Sequence, residues 1–200
     1  MIDREFIKSH ALPLSIGVIS TLAAALSTVA NPILRFDRSA IQHGEVWRLF
    51  SGNFVHLGWS HLLLNLAGLA VIWMLYHRLL SLRSWLLVVV VSSLAVGVGL
   101  WLLNPQLEWY VGLSGSLHGL FFAGAITSLA AGYRAEWLLL VVMFGKLLWE
   151  QFVGPTPGTA DLAGGPVIVD AHLYGAIAGI VCGVFFYRAH RQAARAQSKE

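Results

Sequence analysis

Charge is scarce in this chain. Of its 200 residues only 12% are Asp, Glu, Lys or Arg, about half the share of an ordinary soluble domain. With 57% hydrophobic residues and a mean hydropathy of +0.70, that scarcity excludes a soluble globular class. Cysteine is nearly absent too. Cys182 stands alone, which excludes a disulfide within the chain and argues against a Cys-based metal site. The ten-residue alternation of a membrane barrel is missing, and so is the HExxH of a zinc protease. There is no internal repeat and no low-complexity tract. The formal net charge of +3 comes mainly from the ends and short loops. It reads as a topology signal and implies no nucleic-acid partner.

What the chain has instead is long apolar runs. Six of them, at 13–31, 57–77, 84–103, 113–131, 135–153 and 170–188, come near the ~20 residues a helix needs to cross the hydrocarbon. The expected fold class is all-α: a polytopic membrane protein with a six-transmembrane-helix bundle, one domain over residues 1–200. Arg4 and Lys8 ahead of an apolar stretch ending at Thr28-Val29-Ala30 also fit a signal peptide, but an even span count fits the charges better. With six spans, Arg4, Lys8, Arg78, Arg83, Arg134, Arg188, Arg191, Arg195 and Lys199 share one side, and Arg35, Arg38 and Arg48 the other. The positive-inside rule then puts both termini in the cytoplasm. Of the outer segments, 32–56 is a long loop and 104–112 is short, opened by Asn104-Pro105. The Gly- and Pro-rich 154–169 suits a mobile flap better than a packed element.

Polar groups inside a span are costly and need a partner or a task. Here they cluster at three helix starts: His56, His61 and Asn65 at the second span, Ser114 and His118 at the fourth, Asp170 and His172 at the sixth. All three starts face outward in the six-span topology. His61 and Asn65, four apart, share one helix face. These are the parts of acyl transfer. A serine hydroxyl needs a base, and histidine titrates in the right range. The oxyanion needs donors, which a helix N-terminus, an amide and an imidazole N–H supply. Gly112 and Gly115 let backbone and substrate approach closely. Each part also has a plainer reading. Ser114 could bond its own helix, His61 and Asn65 could tie helices together, and His56 could face the headgroups. Asp170 is expected to be an N-cap of the sixth span and not a third catalytic member, because two residues before His172 points to another side of the helix. Gly175, Gly179 and Gly183 form a stripe that lets the sixth span approach a neighbour, plausibly the fourth, and so carries His172 toward Ser114.

The motifs together resemble the rhomboid intramembrane serine proteases over all six spans. The matching stretches are Glu45-Val-Trp47-Arg48, then His56, His61 and Asn65, then the GxSG at Gly112-Leu-Ser114-Gly115, and last Ala171-His172-Leu-Tyr-Gly175 with Gly179. The resemblance implies a rhomboid-like bundle in which Ser114 is the nucleophile and His172 the base, a dyad with no acid and no cofactor or metal. It implies that His61 and Asn65 help bind the oxyanion, that Trp47 and Arg48 shape the first outer loop, and that the fifth span admits substrate from the lipid. His118 stands where many relatives carry a tyrosine that packs on the catalytic histidine. An imidazole there can stack and can also exchange protons.

The stretch GLSGSLHG, the small size and Lys146-x-x-x-Glu150 look like one branch, the rhombosortases. That likeness implies a bacterial inner (plasma) membrane protein with its site opening to the periplasmic side. Its implied partners, besides the bilayer, are single-span exported proteins with a C-terminal tail of Gly-Gly, an apolar helix and a basic end. The acyl group would pass to water or to an amine. The alternative is a general rhomboid protease of other single-span proteins. Gly-Gly makes physical sense, since unwinding a helix at glycine costs ~1 kcal/mol less per residue than at alanine. Lys146 and Glu150, at helical spacing, are expected either to pair with each other in the outer half of the fifth span, offsetting ~2.5–3.5 kcal/mol for each buried charge, or to tune the gate. Other classes fit less well. No carboxylate completes a familiar metal-ligand set with the histidines His56, His61, His118 and His172, transporter-like repeats are absent, and Asp170 has no second spanning aspartate.

A neutral base sets a pH dependence. Activity is expected to fall as pH drops through ~6–7, the range of a lightly perturbed histidine. A pH–rate profile flat down to pH 4 would contradict His172 as the base.

Overall fold

Inside a bilayer each segment must pair its own backbone N–H and C=O groups, so an apolar run that spans becomes a helix. The computed structural model describes the backbone of residues 4–197 and the side chains of residues 10–189; the side chains of Arg4, Lys8, Arg191, Arg195 and Lys199 lie outside the described residues. Its helices are α1 (Arg4–Ala25), α2 (Ser27–Leu34), α3 (Arg38–Gln42), α4 (Arg48–Ser51), α5 (Trp59–Tyr76), α6 (Leu82–Leu103), α7 (Ser114–Ala130), α8 (Glu136–Phe152), α9 (Thr159–Ala163) and α10 (Val169–Gln197). A two-residue ribbon, β1 (Phe36–Asp37) antiparallel to β2 (Trp109–Tyr110), is the one departure from all-helical structure among the described residues. Helices α5, α6 and α10, the last over Val169–Ala189, are long and apolar enough to cross a membrane. The α1–α2 pair is a fourth if counted as one bent span. Helices α7 and α8 have 17 residues each, about 25 Å of rise, somewhat under the ~30 Å of hydrocarbon.

Two stretches depart from their expected form. The run expected as one helix over 13–31 breaks at Leu26, where the axis turns by 110° into α2. Leu26 is neither Gly nor Pro, so the sequence carries no mark of the break. Tertiary contacts hold the far end of α2. The carbonyls at the end of α2 have no partner within their own helix, and the outer loop supplies donors. Arg48 donates to Pro32 O and Arg35 O, Trp47 Nε1 to Ile33 O, and Ser51 Oγ to Leu34 O. The stretch 154–169, expected as a mobile flap and not a packed element, contains α9, bounded by left-handed Gly158 and Gly164, with its own Ala163 buried.

The three arginines between α2 and α5 have local tasks. Arg38 caps α6: its guanidinium donates to the carbonyls of Leu100, Trp101, Asn104 and Leu107 and lies over the Trp101 ring. A cation at a helix C-terminus also meets the negative end of the dipole. Arg48 is buried and ion-pairs with Glu45, while Arg35 pairs with Asp37, whose carboxylate accepts from Ala40 N at the start of α3.

Helix α7 lies at the centre, buried over most of its length between α5, α6, α8 and α10. It meets α10 backbone to backbone. A Cβ on Gly175 would overlap Gly115 O, and one on Gly179 would overlap Gly119 O. The other face of Gly119 meets Ser92 on α6. Beside this contact Ser93, Ser116 and Asn53 close a buried hydrogen-bonded triangle between α6, α7 and the outer loop. At the far end Glu136 accepts from Tyr76 and Ser128, tying α8 to α5 and α7.

Replacing Arg48 by Ala strips two helix-end carbonyls and Glu45 of their donor. We expect a loss of about 2–4 kcal/mol, read as a lower Tm in detergent. Arg48→Lys should restore little, because one ammonium cannot reach all three acceptors. An Arg48→Ala protein that melts with wild type would contradict this role.

Candidate active site

Ser114 opens α7, two residues after Gly112, whose φ of 131° places it in the region that favours glycine. The turn is held from both sides. Gly112 N donates to Gly52 O, and Tyr110 Oη donates to Gly112 O at 2.6 Å. A side chain at 112 would stand 2.7 Å from Cε1 of His61, so glycine here lets the α5 histidine sit against the serine turn. His61 Nδ1 accepts from Leu57 N at 3.4 Å, which leaves the ring proton on Nε2, the nitrogen beside Gly112. One turn on, Asn65 Nδ2 donates to His61 O.

The glycine contact between α7 and α10 brings His172 to Ser114, with Oγ to Nε2 at 2.9 Å. His118 stacks on His172 with ring centroids 4.2 Å apart and planes 15° apart. Its Nδ1 donates to Ser114 O at 2.8 Å, so its Nε2 is the acceptor that takes a hydrogen bond from Lys146 Nζ at 3.0 Å. Lys146 also donates to Glu150 Oε1 at 2.7 Å. The second carboxylate oxygen of Glu150 accepts from His172 Nδ1 at 2.9 Å. His172 thus carries its proton on Nδ1 and turns a lone pair on Nε2 toward the serine.

Three expectations meet the geometry here. The resemblance implies a dyad with no acid, and a buried carboxylate stands on the far side of His172. Lys146 and Glu150 pair as expected, but the pair is not self-contained. The sequence holds the i,i+4 spacing of Lys146 and Glu150, whereas the reach of Glu150 across to α10 depends on how two helices pack. The histidines also do have a carboxylate among them: ligand atoms of His118, Glu150 and His172 lie within 4.8 Å of one another. The ammonium of Lys146 bonds two of these three groups and supplies the positive charge that a metal ion would bring. The cluster therefore reads as a hydrogen-bonded ion network.

Ser114, His118, His172, His61, Asn65, Lys146 and Glu150 line a single cavity of about 620 Å³. Its roof includes Thr159 and Ala163 of α9. Its apolar walls run down α5 and α8 through Gly68, Val71, Val142 and Met143. Trp47 and Arg48 lie away from it, on the outer loop. Asp170 is not an N-cap. It sits in the first turn of α10 and faces α6, where it accepts from Asn104 Nδ2 at 2.6 Å, and Tyr174 donates to the same Asn104. His56 does not face headgroups. It is 1% exposed, edge-on to His61 at 5.1 Å, and neither ring nitrogen has a hydrogen-bond partner among the described residues. Burial, with His61 beside it, holds its pKa down to about 3.

A family model described as the Rhomboid domain matches residues 43–189. The rhomboid YdcA of Bacillus subtilis (strain 168) is 32% identical over 81 residues, 40% of this chain and 41% of that protein. Rhomboid-like protein 11, chloroplastic, of Arabidopsis thaliana is 27% identical over 147 residues, 68% of this chain and 50% of that protein. Rhomboid-like protease 5 of Toxoplasma gondii is 32% identical over 139 residues, 62% of this chain and 16% of that protein. The chain spans half or less of the length of these relatives.

His56 sets a stability test. The unfolded chain protonates this ring below pH ~6.5, whereas the folded protein resists until about pH 3. Its contribution is therefore intact above pH 6.5 and is lost as pH falls toward 3. We expect Tm to drop between pH 7 and pH 4, and the drop to shrink in His56→Leu. An unchanged drop in that variant would contradict a neutral buried His56.

Proposed function

The chain belongs to the rhomboid family, and from that premise we propose that it is a serine protease that cuts membrane-anchored proteins within the bilayer. The observation that carries the reading is Ser114 Oγ at 2.9 Å from His172 Nε2, in a cavity whose walls are apolar below and polar at the serine. His172 takes the hydroxyl proton as Oγ attacks the scissile carbonyl. The oxyanion forms beside the start of α7, where the Ser114 N–H, the helix dipole, His61 Nε2–H and the Asn65 amide serve as donors. The proton then passes from Nε2 to the leaving nitrogen, the C–N bond breaks, and an acyl group remains on Ser114. Water or another amine takes that acyl group in the second half of the cycle.

The proposed substrates are exported proteins with a C-terminal tail of Gly-Gly, one apolar helix and a basic end. The apolar wall between α5 and α8 suits such a helix, and two glycines beside the scissile bond unwind at low cost. The proposed setting is the bacterial inner membrane. The chain crosses six times, with α7 and α8 accommodated by local thinning of the bilayer. Both termini are cytoplasmic and the site opens to the periplasm, consistent with the lysine and arginine asymmetry.

Cleavage of a membrane reporter ending in Gly-Gly, an apolar helix and a basic tail tests both levels. We expect wild type to cut it, Ser114→Ala to leave it intact, and a reporter with both glycines changed to leucine to survive. Equal cutting of both reporters would keep the protease and remove the tail specificity, leaving a general rhomboid activity. Cutting by Ser114→Ala would overturn the proposed function.

A further inference from the structure

Glu150 is 2% exposed, and an isolated carboxylate at such a depth is expensive. Its surroundings show what offsets that cost. One oxygen bonds Lys146 at 2.7 Å and the other bonds His172 at 2.9 Å. A helix-stabilising ion pair needs only the first contact. The second spends an oxygen on the one histidine that touches the serine, across a helix boundary. The chain of bonds then closes on itself. It runs from Ser114 Oγ through His172, Glu150, Lys146 and His118 back to the Ser114 carbonyl. Lys146 only donates, to His118 and to Glu150, and the Glu150 carboxylate only accepts, so both histidine tautomers follow from the ring.

We infer that Glu150 is the acid of a Ser114–His172–Glu150 relay, and that Lys146, braced by His118, is a positioning residue that keeps Glu150 ionised and aimed at His172. The inference rests on the protease reading above. Glu150 accepts the Nδ1 proton of His172 as a hydrogen bond, fixes the tautomer with Nε2 free, and stabilises the imidazolium that forms when Oγ attacks. The proton moves only from Oγ to Nε2 and on to the leaving nitrogen; Glu150 stays a carboxylate throughout. Charge balances at each stage. Lys146 and Glu150 cancel in the resting state. After attack the new imidazolium is matched by the oxyanion, so the apolar cavity never holds a net charge.

The groups facing His172 are Ser114 and His118 from α7, Lys146 and Glu150 from α8, and His61 from α5, with Asp170 on its own helix turned to Asn104. Removing one charge of the α8 pair therefore biases the imidazolium directly. In the full-length protein, Glu150→Gln should lower kcat for the Gly-Gly reporter by about 100-fold or more, with KM little changed, as loss of the acid does in other triads. Its acid limb should move to lower pH, since the anion favouring the imidazolium is gone. Lys146→Met should move that limb to higher pH. The double variant Lys146→Met/Glu150→Gln leaves no charge unpaired and separates folding from chemistry. A purely structural ion pair predicts wild-type kcat for it, whereas the relay predicts that kcat stays low. Nitrogen-15 NMR of labelled histidines needs no substrate. We expect His172 to be protonated on Nδ1 in wild type and to lose that preference in Glu150→Leu. Wild-type kcat and acid limb in the double variant, or an unchanged His172 tautomer in Glu150→Leu, would overturn the relay. If these variants are active while Ser114→Ala and His172→Ala are not, the relay alone fails. If Ser114→Ala cuts, the protease reading fails.

Discussion

The bundle depends on the backbone-to-backbone contact between α7 and α10. Gly175 faces the Gly115 carbonyl and Gly179 faces that of Gly119, with no room for a Cβ at either place. That contact puts His172 within hydrogen-bond reach of Ser114, and a displacement of about 1 Å at such a pair can cost on the order of 100-fold in rate. The stripe of small residues, a packing feature in its own terms, is therefore also what sets the spacing of the site. Gly112 does the same on the other side, where its missing side chain lets the His61 ring lie against the serine turn.

Around that contact, polar groups are kept in closed sets. Arg38 and Arg48 are spent on helix-end carbonyls. Ser93, Ser116 and Asn53 satisfy one another. Lys146, Glu150 and two histidines form a ring that begins and ends at Ser114. Hydrocarbon offers no water to repair a missing bond, so polar groups inside a bundle of apolar helices need partners within it. Among the described residues His56 departs from this, buried beside His61 with both ring nitrogens unpartnered, and so do the hydroxyls of Ser20 and Ser92.

Much of this was legible in the linear chain. The apolar runs at 57–77, 84–103, 113–131 and 135–153 mark helices α5 to α8 to within two residues, because spacing and hydropathy act locally. The glycine stripe pointed to close approach of two particular helices for the same reason. What lay beyond reach was decided by packing. The 110° turn at Leu26 has neither Gly nor Pro at it, and the far end of the helix that follows is held by side chains of residues 47–51. Asp170 looked like a cap because its partner, Asn104, is 66 positions away. Glu150 looked like half of an ion pair because the sequence shows only its helical neighbour. Helix α9 hid in a stretch rich in Gly and Pro, where the left-handed glycines bound a helical turn.

The most direct test of the central claim asks whether Ser114 is a nucleophile. The purified protein in detergent would be treated with a fluorophosphonate, which loses fluoride as a serine oxygen bonds its phosphorus, and the adduct located by peptide mass. We expect one adduct, on Ser114, in wild type, and none in folded His172→Ala. An adduct elsewhere, or equal labelling of Ser114 without His172, would contradict a serine activated by this histidine.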